Sequence, residues 1–143
     1  MKQITRRMLK IYVPISNLDW LNYKLVKSKA TFHHIQKKVD GGKTLIENGA
    51  ILMPVAHEYI HLIECKDIDT YTALNKILQY VNEQEHEPTL EQRQIIEYLF
   101  TRFETEHIYD KRSSGKPLIK DIYLDREKLW NTSLLKLMTT QLY

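Results

Sequence analysis

The chain has 143 residues, enough for one domain and one modest hydrophobic core. With a single cysteine, Cys65, it can form no internal disulfide and no zinc site of paired cysteines, which fits a reducing compartment. The net charge of +3 hides an uneven layout: residues 1–46 carry 10 Lys and Arg against 2 acidic residues, 47–110 carry 4 against 13, and 111–143 carry 7 against 3. Basic ends around an acidic middle suit a polyanionic partner, since basic segments gain by releasing its counterions.

The N-terminus lacks the apolar run of a signal peptide, and no stretch approaches the roughly 18 apolar residues of a membrane span. A soluble, cytoplasmic protein is therefore expected. Residues 1–30 are basic and mixed. Pro14 and Asn17 suggest turns, and Trp20, Tyr23 and Val26 suggest a packing stripe on a short helix or strand. Thr31–Ile35 predicts a strand from its Thr, Phe and Ile. Asp40-Gly41-Gly42 is a turn signal, and the apolar run 48–53 predicts a second strand. Pro54 suits the first turn of a helix carrying His57 through about Glu64.

Tyr71, Leu74, Ile77, Leu78 and Val81 recur at helical spacing until the polar stretch 83–88. Thr89-Leu-Glu-Gln92 has the form of a capping box and opens a helix with Ile96, Leu99, Phe100 and Phe103 on one face. Residues 111–117 predict a basic linker. A last helix is expected from near Asp125, burying Leu129, Trp130, Leu134, Leu137 and Met138. The expected organisation is one α+β domain over 1–143, with a functional motif at 31–64, a helical region at 67–108 and a basic linker plus C-terminal helix at 111–143. Cys65 is expected to be a small buried residue, and His86 and His107 surface residues.

Four of the six histidines fall between positions 33 and 61. His57 and His61, four apart on a helix, present both imidazoles on one face, where they can grip one metal ion. His33 and His34 add two candidate ligands from the strand before the Gly-Gly turn. His34 precedes Asn48 by 14 residues, Asn48 precedes His57 by 9, and His61 follows His57 by 4.

This run of Thr31-Phe-His-His-Ile35, Asp40-Gly-Gly42, Asn48, His57 and His61 resembles the HNH nuclease motif, with spacings similar to those of colicin-type DNases and of small bacterial and phage HNH proteins. The resemblance covers residues 31–64. It implies a ββα-metal (His-Me finger) core wrapped by further helices, and a DNA endonuclease. His33, His57 and His61 would be metal ligands, His34 the general base, and Asn48 the residue that pins the loop and orients the base. It further implies one divalent ion (Zn, Ni, Mn or Mg), DNA as partner with no membrane, and 5′-phosphate and 3′-hydroxyl products. One such centre cuts one strand at a time, so a homodimer or a protein partner would serve double-strand cleavage or supply specificity. The outer CxxC pairs that many relatives carry are absent here.

The chemistry is self-consistent. Phosphodiester hydrolysis needs an activated water and stabilisation of the leaving oxygen. A neutral imidazole can take the water's proton near pH 7, and three neutral imidazoles leave a cation its full charge while favouring borderline ions over Mg²⁺. Lys37, Lys38 and Lys43 in the loop, Arg6 and Arg7 with Lys10 near the N-terminus, and Lys111, Arg112, Lys116 and Lys120 are candidate phosphate contacts. One difficulty stands: adjacent strand residues face opposite ways, so His33 and His34 share a site only if the strand ends there. Two rival readings remain. His57-Glu-Tyr-Ile-His61 also spells the HExxH signature of zinc peptidases, with Glu58 as base, and a non-catalytic DNA-binding or metal-stabilised module would bind without cutting.

Overall fold

The computed structural model describes residues 1–14, 16–84 and 86–107. They form a mixed α+β fold of four α-helices and one two-stranded antiparallel sheet: α1 (Gln3–Ile11), β1 (Thr31–His34), β2 (Gly49–Leu52), α2 (Pro54–Lys66), α3 (Ile68–Glu83) and α4 (Leu90–His107). The linker and last helix expected beyond residue 110, with Lys111, Arg112, Lys116 and Lys120, lie outside the described residues. Among the described residues no helix is long and apolar enough to cross a membrane.

Helix α1 buries Thr5 and Met8, one turn apart, and leaves Arg6, Arg7 and Lys10 in solvent. The segment between α1 and β1 is mostly irregular, with one isolated bridge from Leu18 to Lys24 and a short 3₁₀ turn at 27–29. Trp20 and Tyr23 are buried as expected, but Val26 is 40% exposed, because the chain bends at Asn22 (φ 72°) and the period-3 spacing has no helix to carry it.

The strands pair with Thr31 opposite Leu52, Phe32 opposite Ile51, His33 opposite Ala50 and His34 opposite Gly49. Gly49 is required by close approach: a Cβ there would stand 2.2 Å from the Phe32 ring and 2.7 Å from Met8 Sδ. Strands β1 and β2 thus pack against α1. Pro54 opens α2 with its fixed φ and its missing N–H falls where no helical partner exists. The N–H of Met53, just before it, is accepted by Asp19 Oδ2 at 2.8 Å.

Helix α2 buries Ala56, Tyr59, Ile60 and Ile63, and so turns His57 and His61 the other way. Cys65 is exposed, contrary to expectation, because it lies off that apolar face. Asp67 caps α3 by accepting from Thr70 N at 3.1 Å and from its hydroxyl at 2.6 Å. Tyr71, Leu74, Leu78 and Val81 then fill the core. Thr89 and Gln92 form the reciprocal capping box, with Gln92 N donating to Thr89 Oγ1 at 3.1 Å and Thr89 N to Gln92 Oε1 at 2.9 Å. Helix α4 buries Ile96, Leu99, Phe100 and Phe103. His86, expected at the surface, is half-buried against Trp20, with ring centroids 6.0 Å apart.

Candidate metal centre

The strand alternation decides where each histidine points. Phe32 and His34 share one face of β1, their rings edge-on with centroids 4.8 Å apart. Thr31 and His33 share the other face, toward α2. His33 and His34 therefore do point to opposite sides. His34 is the last residue of β1, however, and both rings line one open groove of about 400 Å³ together with His57 and His61. Lys37 and Lys38 line the same groove.

His33, His57 and His61 converge. Each can offer one ring nitrogen such that all three lie within 4.8 Å of one another. Ring centroids are 5.4 Å apart for His33 and His57, 5.9 Å for His33 and His61, and 4.9 Å for His57 and His61. The protonation of the two helix histidines follows from their neighbours. The Thr31 hydroxyl donates its only proton to the Leu52 carbonyl at 2.7 Å, so it must accept from His57 Nδ1–H at 2.9 Å. His57 Nε2 is left with a bare lone pair. His61 Nδ1 faces the Glu64 carboxylate at 3.4 Å, a long contact in which only the ring can donate, and Nε2 is again bare. Glu64 also pairs with Lys37.

His33 is 1% exposed, and its Nδ1 is buried with no hydrogen-bond partner. An unsatisfied buried nitrogen costs free energy on the order of 1–3 kcal/mol, and a cation is the ligand that would satisfy it beside two other bare imidazole nitrogens. The donor set thus fits one divalent ion of the borderline class. Burial drives the His33 pKa down to about 4, helped by His57 and His61, against the opposing bond to Asn75; burial likewise brings His57 to about 4, helped by His61 and His34. Both stay neutral at pH 7, as metal ligation requires.

The sign for stability is definite. Below the ordinary histidine value the unfolded chain takes up protons that the folded, metal-free chain refuses, so stability is full above about pH 6.5 and falls as pH drops toward about 4. Asp19, whose carboxyl burial raises to about 6, acts in the opposite sense over part of that range. Denaturant midpoints of wild type and His33→Gln across this window are therefore expected to differ in slope, the wild type falling more steeply; parallel curves would contradict the buried neutral imidazole.

Asn48 holds the loop after β1 from three sides. Its Oδ1 accepts from Gln36 N at 2.7 Å, and its Nδ2 donates to the Gln36 and Lys43 carbonyls at 2.9 Å each. His34 Nε2 lies 2.8 Å from the Thr44 hydroxyl in that loop. Burial first, then Lys38 and Lys2, lower the His34 pKa, so its imidazole is neutral at pH 7. Lys38, Lys43, Arg6 and Arg7 are exposed and Lys37 is half-buried. Glu58 is exposed and does not line the groove that holds the histidines.

Thr31, Thr44 and Asn75 were missed from the sequence. Their contacts with the histidines span 26, 10 and 42 residues, and hydroxyl and amide side chains carry no spacing signal of their own. Comparison with protein-family models, with curated proteins and with solved structures found no match.

Proposed function

We propose that this chain is a metal-dependent endonuclease of the HNH type, with β1, β2 and α2 as a ββα-metal core. The observation that carries it is a buried, unpartnered His33 Nδ1 beside the bare nitrogens of His57 and His61, with a fourth imidazole, His34, lining the same groove. His33, His57 and His61 would hold the ion. When bound, a divalent cation there supplies Lewis-acid stabilisation of the charge that develops on the phosphate and the leaving oxygen. His34, 2.8 Å from the Thr44 hydroxyl through Nε2, would take a proton from the attacking water on Nδ1 in the tautomer that donates Nε2–H to Thr44. Asn48 keeps the Thr44 loop in register for that contact, and Lys37 and Lys38, which line the histidine groove, would supply positive charge for the flanking phosphates, whereas Lys43 lies outside that groove.

Supercoiled plasmid is the substrate that tests this. Cleavage is expected with Zn²⁺, Ni²⁺, Mn²⁺ or Mg²⁺, suppressed by EDTA, and retained within about twofold in Glu58→Ala, since that carboxylate lies outside the groove. Loss of cutting in Glu58→Ala would overturn the assignment of His34 as the base, and casein hydrolysis in place of plasmid cutting would favour the peptidase. Plasmid binding with no cutting by any of these ions would favour a binding module.

A further inference from the structure

Asn75 belongs to α3, outside the stretch that carries the four candidate histidines, yet its amide grips both His33 and the end of β1. Its Nδ2 donates to the Ile35 carbonyl at 2.6 Å. A carbonyl can only accept, so this bond fixes which end of the amide is nitrogen and leaves Oδ1 toward His33 Nε2, 2.9 Å away. Oδ1 also only accepts. The His33 proton therefore sits on Nε2, and Nδ1 is the bare nitrogen that has no partner in the buried interior.

Among the described residues no other contact selects that tautomer. His57 and His61 are set by Thr31 and Glu64, residues of the same strand–helix unit. His33 alone is set from a helix beyond it. We propose that Asn75 is a positioning residue for the metal centre: by accepting from His33 Nε2 it presents the Nδ1 lone pair to an ion shared with His57 and His61. This rests on the metal centre proposed above. It makes the placement of α3 against the end of β1 part of the site, and it predicts a mixed ligand set, Nδ1 from His33 and Nε2 from the two helix histidines.

The test is zinc affinity of metal-stripped protein by chelator competition, together with the absorption spectrum of the Co²⁺ form. Asn75→Leu keeps the bulk and removes the acceptor; zinc binding is expected to weaken about 10–100-fold with an altered Co²⁺ band. Asn75→Asp keeps the acceptor and removes the bond to Ile35, so it is expected to bind within a few-fold of wild type with a wild-type Co²⁺ band. Equal affinity and an unchanged band in Asn75→Leu would overturn the proposal. So would Asn75→Asp binding tenfold or more weakly than wild type, which assigns Asn75 to the Ile35 bond alone. This second criterion decides the matter if Asn75→Leu does not fold. Wild-type protein that binds neither ion overturns the metal centre itself, an outcome distinct from a change confined to the variants.

Discussion

His34→Ala is expected to slow plasmid cleavage by about 10²–10⁴-fold while leaving zinc affinity unchanged. The two halves of this result come from strand geometry. His34 lies on the Phe32 face of β1, and the three converging rings stand on the other side and on α2. Removing its imidazole takes away the proposed base without touching a proposed ligand. His57→Ala should behave differently, losing zinc and cleavage together. Its ring is central to the cluster, with the shortest centroid separations to both other histidines. Cleavage assays paired with zinc titrations on both variants separate the roles. His34→Ala that loses zinc as well would make His34 a ligand and leave the base unassigned.

The second large effect is on stability and lies far from the groove. Arg93 of α4 is 1% exposed. Its guanidinium donates to the Asp19 carbonyl and to Asn22 Oδ1 at 2.9 Å each, and to the Tyr12 hydroxyl at 3.1 Å. Asp19 is fully buried and takes the N–H groups of Leu21 and Tyr23 at 2.8 and 2.9 Å, besides that of Met53. Asn22 answers Arg93 through its amide, donating to the Arg93 carbonyl at 3.0 Å. Arg93→Met removes a positive charge that favours the ionised Asp19 carboxylate and takes away three buried hydrogen bonds, leaving the Asp19 carbonyl with the longer bond from Asn22 N at 3.4 Å and the Tyr12 hydroxyl with its bond to the Leu18 carbonyl. A loss of about 3–5 kcal/mol in unfolding free energy is expected, read from the denaturant midpoint at constant slope. With Asp19→Asn added, the combined loss should be less than additive, because the second change removes the charge the first left uncompensated. A loss below about 1 kcal/mol for Arg93→Met would contradict this network's role.

Much of the site-bearing unit was legible because its signals are local. Pro54 starts α2 where a proline is favoured, and the strands expected at 31–35 and 48–53 form at Thr31–His34 and Gly49–Leu52. Thr89 and Gln92 cap α4 with the spacing that names the motif. The alternation of β1 also announced that His33 and His34 would diverge. What stayed hidden depends on contacts between distant residues. Nothing in the sequence around Arg93 distinguishes it from a solvated helix arginine; it is buried because Tyr12, Asp19 and Asn22, some 70–80 residues earlier, supply its acceptors. The same holds for Asn75, whose neighbours in α3 form an ordinary core stripe. Val26 failed the other way: its spacing suggested packing, but no helix formed to deliver it inward.

The most direct test of the three-histidine centre is the zinc stoichiometry of metal-stripped wild-type protein beside His57→Ala. One tightly held ion per wild-type chain, and none in the variant at the same free zinc, is the predicted result. Wild-type protein that remains metal-free, or a variant that binds as tightly as wild type, would contradict it.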